Sequence, residues 1–135
     1  MDTVEFDRFY VEEEDFSLYN DLEKDKDFIF SGNSHPNLFL LSACLGYRIG
    51  QKLKLNNRKG LTQKTSVLNV DKAEVIMKAF KIIAEKDGEI NESNELLVNK
   101  VMEEYAKGGF KKLYNVLNEP SSKNENLQFY MIREL

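Results

Sequence analysis

The part of the sequence with the most direct chemical use is the stretch between residues 46 and 64, which contains six basic residues and no acidic one. A lysine or arginine can neutralise a phosphate, and such a contact depends on charge more than on exact geometry. The stretch therefore predicts a surface that contacts nucleic acid or another phosphate group. We expect five of its cations to form the contact, namely Arg48, Lys52, Lys54, Arg58 and Lys59.

Other interpretations of this stretch stay open. Its cations can pair with the acidic N-terminal segment of the same chain or of a neighbour, because residues 1–27 carry 11 acidic and 3 basic side chains, a net charge of −8. The acidic segment can also cover the basic face when no ligand is bound, or imitate DNA toward a nuclease. Tyr47, inside the stretch, can stack on a base or pack beneath the segment. The charge asymmetry bears on partners and not on the fold.

The sequence offers little for catalysis or metal binding. Its single cysteine, Cys44, lies in the most apolar stretch, where a buried thiol is inert, although a small enzyme that uses Cys44 is a rival hypothesis. Its single histidine, His35, precedes a proline and suits a helix start, where it can also bind an anion. A calcium-binding loop centred on Gly88 fails, since Ile83 and Asn94 take positions that need carboxylates. We predict no catalytic residue, no metal and no cofactor.

Length and composition indicate one domain with a polar surface. The chain has 135 residues, of which 41% are hydrophobic and 31% charged, and this balance permits a packed core. The net charge of −4 excludes a uniformly basic nucleic-acid coat protein. No apolar run reaches the roughly 20 residues that span a bilayer, and the acidic N-terminus does not resemble a signal peptide. We therefore expect a cytoplasmic protein without membrane contact.

Hydrophobic spacing predicts a mainly α fold, a single compact helical domain with one or two short strands. One apolar helix begins near Pro36 and is expected to end at Gly46. A second helix begins at Asp71, which has the spacing of a capping box with Glu74. A third is expected to end at Gly108-Gly109, where glycine permits a sharp reversal of the chain, and a short helix follows it.

The remaining segments are less regular in pattern. Short strands or extended segments are expected within residues 1–15 and at residues 65–70, and Asp15 can cap a short helix after the first of them. The acidic run Glu12–Asp15 is expected to lie in solvent. The chain thus divides into three parts: an acidic N-terminal arm with a short helix (1–27), a helical core (28–118), and a C-terminal loop and docking segment (119–135).

Two stretches resemble a known family. Leu38–Tyr47, with Phe28 and Phe30 before it, resembles the family's "F…FAAxLGY" core helix, and Met102–Phe110 resembles its "FEEYAxGGL" segment. The family consists of small accessory proteins encoded beside DNA phosphorothioation (Dnd) systems in prokaryotes, and the resemblance covers about residues 28–118. It implies an accessory protein of a DNA-modification or phage-defence locus, and it carries over no catalytic residue.

We therefore predict a non-enzymatic accessory protein of a prokaryotic DNA-modification-dependent defence (restriction) system. It would contact DNA, or a DNA-processing protein of the same system, through the basic stretch. The alternative is a protein–protein adaptor or regulatory subunit without nucleic-acid contact. An exposed apolar patch, with the C-terminal residues Phe129, Tyr130 and Ile132 as candidates, would favour that alternative. A homodimer is compatible with either function.

Overall fold

The computed structural model describes residues 8–24, 34–87 and 95–118, and the chain is mainly α within these ranges, which confirms the predicted fold class. The elements in chain order are β1 (Arg8–Glu12), α1 (Glu13–Lys24), α2 (Ser34–Ile49), β2 (Arg58–Gln63), α3 (Lys64–Leu68), α4 (Ala73–Lys86) and α5 (Glu95–Asn118). The C-terminal docking segment predicted at 119–135 lies outside the described residues. No helix in the described ranges is both long and apolar enough to cross a membrane.

Helices α2 and α5 form the centre of the fold and make the most extensive contact of any two elements. Helix α2 is apolar almost all round, and Leu38, Phe39 and Ala43 are buried, as this composition predicts. Helix α5 buries a stripe that includes Val101 and Leu113, because its apolar residues recur every three or four positions. The other elements pack against this pair.

The glycines of these two helices do not have the role that the sequence predicts. Gly46 does not end α2, which continues to Ile49 and stops before Gly50, whose φ is +73°. Gly108-Gly109 do not end a helix either, because α5 runs through them without a break. The short helix expected after them is the last part of α5. The predicted chain reversal at this point is therefore wrong.

The physical reason is that Gly46 and Gly109 lie where α2 and α5 cross, while Gly108 lies against the backbone of Gln51 just after α2. A Cβ atom at Gly46 would overlap the carbonyl oxygen of Tyr105, and one at Gly109 would overlap the carbonyl oxygen of Ser42. A glycine inside a helix costs about 1 kcal/mol relative to alanine, and the close packing of the two backbones offsets this cost. Gly46 and Gly109 mark a helix crossing, which local helix propensity does not reveal.

Strands β1 and β2 pair as an antiparallel two-stranded sheet. Tyr10 lies opposite Gly60, and a bulge separates Phe9 from Tyr10. The extended segment expected near the N-terminus is thus a strand, and part of the basic stretch is a strand as well. Phe9 and Val11 are buried, so β1 contributes one face to the core.

Residues 8–24, part of the predicted acidic arm, pack against the helical core. The ring of Tyr19 stacks on that of Phe110, with centroids 4.0 Å apart. The acidic run is not fully solvated, because Glu12 and Asp15 are buried. Asp15 does not cap α1 either, since the helix begins two residues before it.

Two expectations about the middle of the chain are also wrong. Residues 65–68 belong to α3, not to a strand or an extended linker, and this helical turn buries Val67 completely. The capping box of Asp71 and Glu74 does not form. Instead, Lys72 precedes α4 with a φ of 65°, and it makes no side-chain capping hydrogen bond.

Candidate nucleic-acid interface

The residues between α2 and β2 cross α5 without regular secondary structure, and backbone hydrogen bonds hold them to the end of α2 and to α5. The N–H of Gln51 donates to the carbonyl of Gly46 (2.9 Å), and the N–H of Leu53 donates to the carbonyl of Glu104 in α5 (3.1 Å). Gly108 permits this approach, because a Cβ atom there would overlap the carbonyl oxygen of Gln51. The first part of the basic stretch is therefore fixed on the surface of α5.

The carboxylate of Glu12 holds the next part of the stretch. Its two oxygens accept the backbone N–H groups of Asn56 and Asn57, each at 2.9 Å. Lys107 Nζ lies 2.9 Å from Glu12 Oε1 and donates to the carbonyl oxygen of Lys54 at 2.7 Å. Burial alone would raise the pKa of Glu12, but the hydrogen bonds from the two backbone groups and from Lys107 together outweigh it and lower the pKa to about 2. Glu12 is therefore ionised at neutral pH and ties the segment to α5.

A second buried carboxylate, that of Glu103 in α5, holds Arg58. Arg58 Nη2 lies 3.2 Å from Glu103 Oε1, and its Cζ lies 4.4 Å from the centroid of the Tyr10 ring. Glu103 also accepts the backbone N–H of Tyr10 at 2.9 Å. The side chain of Glu103 is 2% exposed, whereas that of Arg58 is 39% exposed. Arg58 therefore keeps an exposed edge, while Glu103 holds both Arg58 and the backbone of β1.

Lys52, Asp87 and Tyr105 form a third polar cluster beside the end of α2. The Tyr105 hydroxyl donates to Asp87 Oδ2 at 3.1 Å, and Lys52 Nζ lies 3.7 Å from the same oxygen. Burial raises the pKa of Tyr105, and the hydrogen bond to Asp87 and its charge raise it further, so the hydroxyl stays a donor. The ring of Tyr47 lies edge-on to that of Tyr105, with centroids 5.6 Å apart.

The five cations predicted for the contact surface lie along this segment, but their surroundings differ. Four of them are exposed and Lys52 is half-buried. Lys52 and Arg58 contact carboxylates of the chain itself, but these belong to Asp87 and Glu103 and not to the acidic segment 1–27. Lys54 and Lys59 form no ion pair with a described residue, and the ammonium of Lys59 lies 5.3 Å from the centroid of the Phe16 ring. The participation of these cations in binding stays a prediction.

The sequence analysis does not identify the residues that hold the basic stretch in place. Glu12, Glu103 and Lys107 contact the basic stretch from 44, 45 and 53 residues away, and local spacing does not pair them with it. The one available signal is the pair of acidic residues within the apolar pattern of α5. Three large apolar side chains in or beside the stretch are also exposed, at Tyr47, Ile49 and Leu53.

The lone cysteine and histidine lie apart from this surface. Cys44 is half-buried against the core, and burial raises the pKa of its thiol, which opposes the thiolate form that a nucleophile needs. His35 lies in the first turn of α2, with its ring centroid 6.4 Å from those of Phe16 and Tyr19. Among the residues that the structure describes, no group of three or more His, Cys, Asp or Glu side chains is placed to hold a metal ion.

Most of the sequence matches the model of a known family. The model of the family described as DNA sulphur modification system-associated protein 4 matches residues 8–135. The chain belongs to this family. The match confirms the resemblance and extends it, since the family includes β1 and α1, which the resemblance to residues 28–118 leaves out. No match was found among curated proteins or among solved structures.

Family membership associates the chain with DNA sulphur modification systems, which is consistent with an accessory role. The structure gives a physical meaning to the family-like segment Met102–Phe110. Gly109 permits the close crossing of α2 and α5, Gly108 permits the approach of Gln51, and the acidic residue Glu103 fixes β1 and Arg58. This segment thus positions the basic stretch on the surface of α5.

Proposed function

We propose that this member of the family is a non-enzymatic accessory protein of a DNA-modification-dependent defence (restriction) system and that it contacts DNA through the segment Arg48–Lys59. The observation that carries the proposal is that the backbone of this segment is held by α5 and by Glu12, while Lys54 and Lys59 stay exposed. The family association supports the setting, and the charge of the segment supports DNA as the partner.

A segment fixed in this way suits contact with a phosphate backbone. Cations that are already in place lose less conformational freedom on binding than cations on a mobile loop. Each cation that neutralises a phosphate also releases counterions, so the contact is strongest at low salt. Because departure of Arg58 would leave the buried Glu103 without its cation, we expect Arg58 to contact DNA only through its exposed edge. We therefore rank Lys54 and Lys59 above Arg58.

The double substitution Lys54→Ala/Lys59→Ala tests this proposal. It should weaken the binding of a short DNA duplex and reduce the slope of log K against log salt by roughly 2, one unit for each lost phosphate contact. Fluorescence anisotropy between about 50 and 200 mM salt measures both quantities. The matched control is Lys78→Ala/Lys81→Ala, which removes two exposed lysines from α4 and should leave the slope near that of the unchanged protein. Failure of the unchanged protein to bind DNA at low salt would reject direct DNA contact.

A protein–protein adaptor is the second candidate, and a different observation favours it. Tyr47, Ile49 and Leu53 expose apolar surface beside the cations, a combination that fits a protein partner with acidic and apolar side chains. Native mass spectrometry with the other proteins of the modification system separates the two functions. A stable complex without DNA, together with no DNA binding by this chain, would favour the adaptor.

A further inference from the structure

Tyr47 presents a half-exposed aromatic ring on a rigid aromatic support. Its side chain lies in the last turn of α2 and is 50% exposed. Its ring stands edge-on to those of Tyr105 and Phe80, with centroids 5.6 and 6.5 Å apart and interplanar angles of 76° in both pairs. Both supporting residues are buried, so the Tyr47 ring is held in place while part of it faces solvent.

Cations lie close to Tyr47 along the chain. Arg48 follows it directly, and Lys52 Nζ lies 5.8 Å from the centroid of the neighbouring Tyr105 ring. Asp87 compensates part of the charge of Lys52, so the cation expected to contact a phosphate further along is Lys54, whose carbonyl is tied to α5 by Lys107. The short strip of chain Tyr47–Lys54 therefore carries an exposed aromatic ring and three cations, Arg48, Lys52 and Lys54.

We propose, on the basis of the DNA contact proposed above, that this strip takes single-stranded or locally unpaired DNA. A base stacks on the ring of Tyr47, and the phosphates on either side lie against Arg48 and Lys54. Stacking on aromatic side chains combined with a basic path for the backbone is the general mode by which proteins hold single strands without reading their sequence.

The exposed apolar surface is the reason for preferring a single strand to a duplex. In a duplex the faces of the bases are covered by their neighbours, so the protein meets phosphates and groove edges. Such a partner would use the cations but would leave Tyr47, Ile49 and Leu53 against a charged backbone. A strand with unstacked bases offers apolar faces to these side chains and phosphates to the cations.

The substitution Tyr47→Trp provides a direct test, because the chain contains no tryptophan and the variant has a single indole fluorophore. Titration with a thymidine oligomer of about 12 nucleotides, and with a duplex of the same length, compares the two kinds of DNA. We expect the oligomer to quench the indole emission and to bind more tightly than the duplex. Tyr47→Ala should weaken binding of the oligomer roughly 10-fold, within the range of one lost stacking contact. Tyr47→Phe keeps a ring and should bind as the unchanged protein does.

The outcomes separate this inference from the proposed function. The single-strand inference is overturned, and the DNA contact still stands, if three results are found together. The oligomer and the duplex bind equally tightly in a salt-dependent way, neither quenches the indole emission, and Tyr47→Ala leaves the affinity unchanged. Absence of binding to either DNA at low salt overturns both. A change of the indole emission only with another protein of the modification system would assign the strip to that protein and overturn the inference. Thermal unfolding of each variant, with a midpoint near that of the unchanged protein, shows that the fold is intact.

Discussion

Helix α5 meets the rest of the protein through two faces of opposite chemistry. On one face, Gly109 packs against the backbone of α2 and Gly108 against the backbone of Gln51, with no room for an added atom. Toward β1 and the basic segment, Glu103 and Lys107 make hydrogen bonds and ion pairs that are largely buried. The comparison shows that seven consecutive residues, Glu103–Gly109, serve two kinds of contact. The glycine face is vulnerable to an added group, and the charged face is vulnerable to a missing partner.

Gly109→Ala tests the glycine face and should have the largest effect on the stability of the protein. The new Cβ would overlap the carbonyl oxygen of Ser42 and the backbone nitrogen of Gly46, and neither can move without separating the helices. We expect the free energy of unfolding to fall by about 3 kcal/mol or more, although glycine-to-alanine inside a helix ordinarily gains up to about 1 kcal/mol. Urea denaturation measures the change. Asn115→Ala, at an exposed position of the same helix, is the control and should change it by less than about 0.5 kcal/mol.

Glu12→Gln tests the charged face and should have the next largest effect. The substitution preserves size but removes the charge that compensates Lys107, whose side chain is only 14% exposed. It also weakens the acceptors for the N–H groups of Asn56 and Asn57. We expect a loss of about 2 to 3 kcal/mol at pH 7 and faster amide exchange at Asn56 and Asn57. Glu13→Gln, at an exposed neighbouring position, is the control. Equal effects of the two substitutions would contradict the structural role of Glu12.

The pH dependence of stability should distinguish Glu12 from Asp15, which lie on the same side of the core but have opposite pKa shifts. Burial, and then the charge of Glu14, raises the pKa of Asp15 to about 6. Its ionised form therefore destabilises the fold at pH 7, and this penalty disappears as the pH falls through 6 toward 4. The pKa of Glu12 is lowered to about 2, so its contribution is complete above about pH 4.5 and is lost as the pH falls toward 2.

Asp15→Asn checks the sign of this difference. At pH 7 the variant should be more stable than the unchanged protein by about 1 kcal/mol, because the cost of ionising a buried carboxyl is removed. At pH 4 the two proteins should be nearly equal, since the carboxyl is protonated there in the folded state. Denaturation curves at several values of pH measure the difference. A stabilisation that persists unchanged at pH 4 would show that Asp15 does not titrate as proposed.

Lys78→Ala should have the smallest effect on stability, and it measures how much an exposed ion pair contributes. Lys78 Nζ lies 3.7 Å from Glu74 Oε1 on α4, and both side chains are more than three-quarters exposed. An exposed pair one helical turn apart contributes about 0.5 kcal/mol or less. Thermal unfolding at low and high salt should show a small difference that salt removes. A loss of stability as large as that caused by Glu12→Gln would contradict the prediction that buried charges matter more to stability than exposed ones.

The sequence by itself determined the helical class, the buried face of α2, the basic stretch and the family. The first three follow from composition and from the spacing of apolar residues within single elements, whereas the family is indicated by the resemblance of two segments to its motifs. The apolar residues Leu38–Leu45 recur at helical spacing whatever packs against them, and the absence of acidic residues between 46 and 64 is visible without a fold. The exposed state of Lys54 and Lys59 is consistent with the same pattern.

Only the tertiary structure decided what the glycines and the buried charges do. Local rules treat Gly46 and Gly108-Gly109 as helix ends, since glycine is a poor helix former, but the approach of a second backbone makes glycine necessary there. Likewise, local rules place an acidic run in solvent, because a buried carboxylate needs hydrogen-bond donors or a cation to offset its charge. Asn56, Asn57 and Lys107 supply these to Glu12 from distant parts of the chain. Local patterns relate residues that are near one another in the sequence, whereas these contacts join distant segments that meet only when α5 packs against the rest of the protein.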